Sequence, residues 1–477
     1  MEMVQSMINP FTTTNDKLVS LSSGAVAATE VQEDLLRAEL VGEQQLSEYM
    51  TDRLVKQKTD VFSAIKLSKL KTFSTQTKTQ KSATVKSLKA DRSIFTRLLV
   101  VSKQREIDLQ RILTYSISPV SPSLSSSDGE ALSKTNKAAL LHHIELVCAS
   151  NCSAKHTELS SCSLVVDAMA LIQSFPCSKL PSTFGEFADA ILKRLLSMSV
   201  LFKATRVDFV GDRYMETSIK NIERNRRVAS SQDISIYGKD QKLPQQWKKF
   251  LGSGQNKEKL QEFLCKQWKH CTSDISVDLF TGIGEEAMRY SMAPGHSTTT
   301  TVIEELAADH EEADTRLILH ANHCGTTHDS VVIWSPDTDV AIIAVSHFDA
   351  MLVKNLYFAT GTGKNQRLLN LTNISTTLGT KLASNLIALH AFSGCDSTSS
   401  FYGKGKKKAY TTLTNQPSAS TALAKVGTSY ELDMSIMPAI ENFVCAMYGT
   451  SATTVGEARF NLFCSSGSIE QGSASKH

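Results

Sequence analysis

Apolar residues in this chain run together in some stretches, recur at helical spacing in others, and are sparse elsewhere. Residues 93–117 (SIFTRLLVVSKQREIDLQRILTYSI) have apolar positions at helical spacing and predict one or two helices. The turn-rich SPVSPSLSSSDGE at 118–130 then reads as a domain boundary. Residues 137–148 predict a short amphipathic helix. From about residue 160 the pattern changes. SLVVDAMALIQSF at 163–175 opens with a continuous apolar run, as in a strand buried on both faces. Helical periodicity returns at 184–201, and TRVDFVGD at 205–212 predicts a second strand. A basic helix at 218–227 and a helical region at 304–321 follow. DSVVIWSPDTD at 329–339 reads as another buried strand, and 355–371 as strand, glycine turn and strand. Strands alternating with helices predict an α/β fold with a mostly parallel central sheet flanked by helices.

The organisation this implies is a basic, partly helical or flexible N-terminal region over 1–130 and a helical connector over 131–160. The α/β domain then occupies 161–450, and a C-terminal tail 451–477. Composition narrows the class. Among 477 residues, 41% hydrophobic and 21% charged content exclude global disorder and a collagen-like fibre. No apolar run approaches the ~18–20 residues that cross a bilayer. The N-terminus carries Glu2 where a signal peptide would be basic, and no apolar stretch follows, so a nuclear or cytoplasmic protein without a membrane partner is expected. The ten cysteines include no C-x-x-C pair and read as reduced thiols. Cys148, Cys152 and His156, with His142 and His143 upstream, approach a zinc spacing but lack a second cysteine pair.

A net charge of +3 identifies no partner, but its layout does more. Between Arg53 and Arg92 stand eleven Lys/Arg against two Asp, either a solvated linker or a phosphate-contacting arm. The acids gather elsewhere. Asp167 ends one apolar run, Asp212 follows the next, and Asp337 and Asp339 follow the third. Carboxyl ends of strands form one rim of an open α/β sheet, where ligands bind. Glu311, Glu312 and Asp314, at the start of a helix, and Asp396 could reach the same rim. Carboxylates gathered there repel one another unless divalent cations neutralise them. All-oxygen donors suit hard ions such as Mg²⁺ or Mn²⁺, and a pair of such ions clamps the attacking and leaving oxygens of a phosphodiester. Each Asp taken singly reads as a helix N-cap.

In order and spacing, residues 167–409 resemble the flap endonuclease group of structure-specific 5′-nucleases, within the PIN-like superfamily. LVVDAMALIQSF is similar to that family's first strand and first ligand, Asp167; VDFVGDR to its second, ending in Asp212. SIKNIERNRR resembles the helical arch, which implies that Lys220, Arg224 and Arg226 or Arg227 grip the scissile phosphate. HEEADT and SPDTD resemble the paired acids, here Glu312 and Asp314, then Asp337 and Asp339. GCDSTSSFYGKGKKKA resembles the last ligand, Asp396, followed by a helix-two-turn-helix with Gly403 and Gly405. There the resemblance implies a monovalent cation and Lys406, Lys407 and Lys408 on duplex phosphates. It implies two Mg²⁺ or Mn²⁺ ions, a two-metal hydrolysis, and recognition of DNA, or RNA, by structure rather than sequence. This sequence departs from the family at Gln173, where an aromatic is expected, at Arg213 in place of Gly, and at Asp314 in place of Glu. The chain also resembles uncharacterised animal proteins associated with mobile elements.

Other readings compete. A nuclease fold that binds branched nucleic acid without cutting would keep the same basic helices. SPDTDV could be the nucleophile loop of a haloacid-dehalogenase-like phosphatase with Asp337 as nucleophile, although Val340 and Ala341 stand where Gly-Thr is expected. GTGK at 361–364 lacks the offsets of a phosphate loop and predicts a hairpin turn. His320, His323, Cys324 and His328 read as a helix end and loop, and Trp247, Trp268 and Trp334 as core or interface residues.

Overall fold

A computed structural model of the chain describes residues 136–214, 234–270, 277–291, 298–361, 363–395 and 398–465. Nearer the N-terminus it describes 26–61, 96–103 and 105–108, with positions 18, 63, 65, 70–72 and 94. The chain divides into two compact units, Met1–Val120 with Ser127–Glu130, and Ser121–Ser126 with Ala131–His477. In the first, α1 (Thr29–Leu36) and α2 (Ala38–Tyr49) lead into a π-helical turn, Met50–Val55. Two members of the basic stretch serve this unit's own fold. The Arg53 guanidinium is buried and donates to the carbonyls of Asp60, Val61 and Ser63 at 3.0, 3.0 and 2.6 Å. Lys71 pairs with Glu30, and its backbone N–H donates to Asp34. Residues 73–93 lie outside the described residues.

The second unit opens with α3 (Ala138–Val147) and the two-residue β1 (Ser153–Ala154). The buried strand foreseen at 163–175 is β2 (Cys162–Asp167), followed directly by α4 (Ala168–Gln173). Next comes α5 (Phe184–Phe202), held at its start by a capping box in which Thr183 and Glu186 satisfy each other's backbone N–H. It leads to β3 (Ala204–Val210), α6 (Gly254–Trp268), β4 (Asp278–Ile283), β5 (Glu286–Ser291) and β6 (Thr299–Val302). Then follow α7 (Ala313–Cys324), β7 (Ser330–Trp334), α8 (Thr338–His347), β8 (Asn355–Thr360) and β9 (Arg367–Asn370). The C-terminal part is helical: α9 (Leu386–Phe392), α10 (Lys406–Thr414), α11 (Pro417–Leu423), α12 (Met437–Tyr448) and α13 (Val455–Ser465) among others.

Among the described residues, the strands form one nine-stranded sheet in the order β1-β9-β8-β7-β2-β3-β4-β5-β6. Its centre, β8-β7-β2-β3-β4, is parallel, and antiparallel strands extend both sides. The chain lays β3 and β4 to one side of β2, then crosses back to lay β7 and β8 on the other. The order therefore reverses between β2 and β7, which opens a crevice at their carboxyl ends. Alternation along the strands supplies both cores. Val165, Val331, Ile333 and Phe358 enter the layer with α3, α7 and α8; Leu164, Val166, Val332 and Ala359 enter the one with α5 and α6. Both faces are apolar, so the strands read as unbroken apolar runs.

Some elements differ from expectation and others match it. Segment 131–160 is part of the sheet domain and not a connector before it: Leu140, Leu141 and Ile144 of α3 are fully buried in one core, and β1 pairs with β9. Residues after 450 continue the fold through α13, whose Ala458 packs with Cys445 and Ala452. The helical region at 304–321 begins as a single 3₁₀ turn at Glu304–Leu306, and the helix proper starts at Ala313. Segment 228–303, unassigned from sequence, contains α6 and β4–β6. Gly361 leads into the β8–β9 hairpin, and Trp247 and Trp268 are core residues. Cys148 and Cys152 are buried thiols while His156 is exposed against Phe202.

One buried polar network ties α7 to the sheet. Arg206 grips Asp208 with two hydrogen bonds of 2.7 and 2.8 Å, and His320 Nδ1 lies 2.7 Å from the same carboxylate. A carboxylate only accepts, so Nδ1 carries the proton. Burial opposes ionisation of Asp208, but Arg206 and His320 prevail and hold it at about 2. Arg206 also lies over the Phe280 ring, 3.7 Å from its centroid. His320 and Cys324 thus belong to a structural ion-pair network, which the reading as a helix end and loop did not foresee. Asp208→Ala leaves a buried guanidinium unpaired and is expected to destabilise the domain by about 3–5 kcal/mol. Denaturant unfolding measures this, and a loss under ~1 kcal/mol would contradict the network's role.

Candidate active site

Three acids expected to be ligands also cap helices. Asp167 Oδ1 accepts from Ala170 N–H at 2.9 Å at the start of α4. Asp337 Oδ1 accepts from Asp339 N–H at 3.0 Å at the start of α8. Asp212 Oδ1 accepts from Ala313 N–H at 2.9 Å at the start of α7. The cap and ligand readings are compatible. Capping occupies one carboxylate oxygen and fixes the rotamer, while the second oxygen is set apart from the helix. Ser335 ties two of them across the crevice, its hydroxyl donating to Asp167 Oδ2 at 3.1 Å and accepting from Asp337 N–H at 3.1 Å.

Asp212 depends on a tight approach. It follows Gly211, whose N–H donates to Gly282 O at 3.0 Å, and a Cβ at Gly211 would run into the buried Gln261 side chain. Tyr214 donates to Asp212 Oδ2 at 3.2 Å. Arg213 N–H donates to Glu311 O at 2.9 Å, which docks this loop on the HEEADT segment. There Glu312 holds the N-cap position of α7 without a side-chain cap, and Asp314 lies in the first turn.

The electrostatics show that the acids converge. Burial lifts the Asp314 carboxyl to about 7, and Asp337, Asp167, Asp212 and Asp339 add to the rise. Burial likewise lifts Asp167 to about 6, with Asp212 and Asp337 contributing. Two basic side chains outside the expected ligand set face these acids. Lys137 Nζ lies 2.9 Å from Asp337 Oδ2 and 3.3 Å from Asp339 Oδ2. His390 Nε2 stands 3.3 Å from Asp339 Oδ1 without hydrogen-bond alignment. Burial pushes Asp339 up, but His390 and Lys137 together bring it below the usual carboxylate range. His390 lies six residues before Asp396 in the recognised motif; Lys137 lies in an upstream helix start with no motif to mark it.

Asp396, Lys220, Arg224, Arg226 and Arg227 lie outside the described residues. Gly403 has φ +65 in the turn before α10, and Gly405 is the N-cap of that helix. Lys406, expected on phosphates, is instead buried at 3% exposure, with Nζ donating to His390 O at 2.8 Å and Ser393 Oγ at 3.3 Å. It holds the end of α9 against α10, while Lys407 and Lys408 are exposed. Among the described residues, no three acid, histidine or cysteine side chains sit close enough to hold one ion as they stand. The donor set nevertheless fits a hard divalent cation: it is carboxylate oxygen, it crowds one rim, and Asp339 Oδ1 is buried without a hydrogen bond.

A family model described as "Domain of unknown function (DUF8702)" matches residues 1–116. No curated protein matches the chain. Among solved structures, the T5 D15 protein co-crystallised with metal ions is similar at 16% identity, over 53% of this chain and 74% of that one, with a TM-score of 0.32. A bacteriophage T5 D15 flap endonuclease variant, in a pseudo-enzyme–product complex with DNA and metal ions, is 15% identical over 60% of this chain and 86% of that one, with a TM-score of 0.33. The catalytic core of Rad2 in complex with DNA substrate is 15% identical over 58% and 68%, with a TM-score of 0.32. These are partial superpositions.

The crowded carboxyls predict an inverted pH dependence without metal. Asp314 lies above its ordinary 3.8 in the folded state, so folded protein holds that proton more tightly than unfolded chain. Its ionisation withholds stability at pH 8, and the stability returns as pH falls through about 7 toward 4. In EDTA at pH 8, Asp314→Asn should stabilise by about 1–2 kcal/mol and flatten this part of the profile. Melting curves between pH 5 and 8 read the effect, and a variant less stable than wild type at pH 8 would contradict it.

Proposed function

We propose that the second unit is a metal-dependent, structure-specific phosphodiesterase acting on DNA ends, flaps or junctions. The observation that carries this reading is the gathering of acids at the β2–β7 reversal: Ser335 joins Asp167 to Asp337, Lys137 joins Asp337 to Asp339, and the Asp167 and Asp314 carboxyls are raised first by burial and then by these neighbours and Asp212. Asp167, Asp212, Glu312, Asp314, Asp337, Asp339 and Asp396 would hold two Mg²⁺ or Mn²⁺ ions. Such ions supply a water of lowered pKa and stabilise the leaving 3′-oxygen. The helix caps and the Ser335 bridge keep the acids oriented when no substrate is bound. Lys220, Arg224 and Arg226 would position the scissile phosphate and offset its charge in the transition state. Arg227, Gly403, Gly405, Lys407 and Lys408 would meet the duplex backbone, so binding should be salt-sensitive and independent of sequence. A monovalent cation near Gly403–Gly405 belongs to the same reading, and RNA is the other candidate substrate.

A second reading has one observation in its favour. The Lys137 ammonium shared by Asp337 and Asp339 is what a nuclease fold that binds without cutting would retain. Purified protein with 5′-flap, single-stranded and duplex DNA, in Mg²⁺, Mn²⁺ or EDTA, separates the two. Metal-dependent cleavage that falls by at least about 10²-fold in Asp337→Ala/Asp339→Ala is expected. Flap binding without cleavage supports the non-cutting module. Hydrolysis of small phosphomonoesters alone would favour the phosphatase reading with Asp337 as nucleophile.

A further inference from the structure

Lys137 reaches the acidic rim from outside the segment that resembles a nuclease. It immediately precedes α3, whose Leu140, Leu141 and Ile144 are fully buried in the core, so the lysine is delivered by a fixed element. Its ammonium sits between Asp337 Oδ2 at 2.9 Å and Asp339 Oδ2 at 3.3 Å, one cation shared by two carboxylates. A bridging metal ion would make the same arrangement. Beside it His390, 8% exposed, has both ring nitrogens without a hydrogen-bond partner and Nε2 3.3 Å from Asp339 Oδ1. Donor atoms bound at adjacent positions of one ion at ~2.1–2.2 Å lie about 3 Å apart. A buried, unpartnered imidazole at that separation from a carboxylate oxygen points to a missing ligand rather than to a finished hydrogen bond.

We propose that Lys137 is the resident counter-cation of the Asp337–Asp339 subsite, and that a divalent ion enters there by displacing its ammonium. The inference rests on the reading of this rim as a metal-holding site, and adds a residue and a competition to it. A single positive charge among Asp167, Asp212, Asp314, Asp337 and Asp339 leaves the cluster under-neutralised, so a doubly charged ion has a reason to replace it. Displacement also frees an ammonium, and the energy of breaking its contacts with Asp337 and Asp339 is subtracted from apparent ion affinity. Removing the ammonium should therefore tighten ion binding, the opposite of what loss of a ligand or of a supporting residue would do.

The test measures Mn²⁺ binding to the full chain by electron paramagnetic resonance of free Mn²⁺, with melting temperature in EDTA and in Mn²⁺ as a second readout. Lys137→Gln should bind Mn²⁺ roughly fivefold more tightly than wild type, and Lys137→Arg should stay near wild type. Lys137→Gln should melt lower than wild type in EDTA and recover in Mn²⁺. In an Asp337→Asn/Asp339→Asn background the gain should vanish. Unchanged or weaker binding by Lys137→Gln overturns the proposal while leaving the metal reading in place, as does a gain that persists without the two carboxylates. Absence of Mn²⁺ binding in every protein overturns both.

Discussion

Carboxylates crowded on one rim cannot all ionise without a counter-charge, and much of this domain's local design answers that constraint. The acids arise because strands that end at one edge hand over to helices, and an Asp at the handover caps the helix. Asp167 and Asp337 each satisfy a local need through one oxygen, while Asp212 caps α7, which begins 101 residues further along the chain. The sheet's strand order then brings these separate caps together. Backbone N–H groups, Ser335, Tyr214 and Lys137 each offset part of the repulsion; Asp314, raised first by burial and then by its acidic neighbours, carries the rest.

The apolar handover points were legible in the sequence for a physical reason. β2 and β7 are buried on both faces and so appear as continuous apolar runs followed by acids. The expected helices at 137–148 and 184–201 correspond to α3 and α5 because their apolar stripes face a core. Weakly patterned strands were not legible. β6 is TTTV, exposed throughout, and its partner β5 alternates only loosely. The local signal there is Gly284, at φ +64 in the tight link between β4 and β5, which marks a hairpin.

Long-range polar pairings were the other gap. Asp208 reads as one more charged residue in TRVDFVGD, and only the packing of α7 reveals His320 as its partner. Position in a motif places Lys406 on phosphates, yet it donates to a carbonyl and a hydroxyl at the end of α9, and Lys137, outside every motif, meets the site. A lysine's role depends on what its long side chain can reach, and local sequence carries little of that information.

The hydrogen bond from Ser335 to Asp167 joins residues 168 positions apart, and β1 at one edge waits for β9, more than 200 residues later. Closing loops of that length precedes any reward from the contacts they permit. The crevice between β2 and β7 is therefore a late product of folding. A partly folded chain can carry the local Asp167 and Asp337 caps, each at the start of the helix that follows it, but no concentrated negative field. The rim acquires its capacity to draw in a cation only when the two halves of the parallel sheet have met, so appearance of ion binding during refolding would mark completion of the domain.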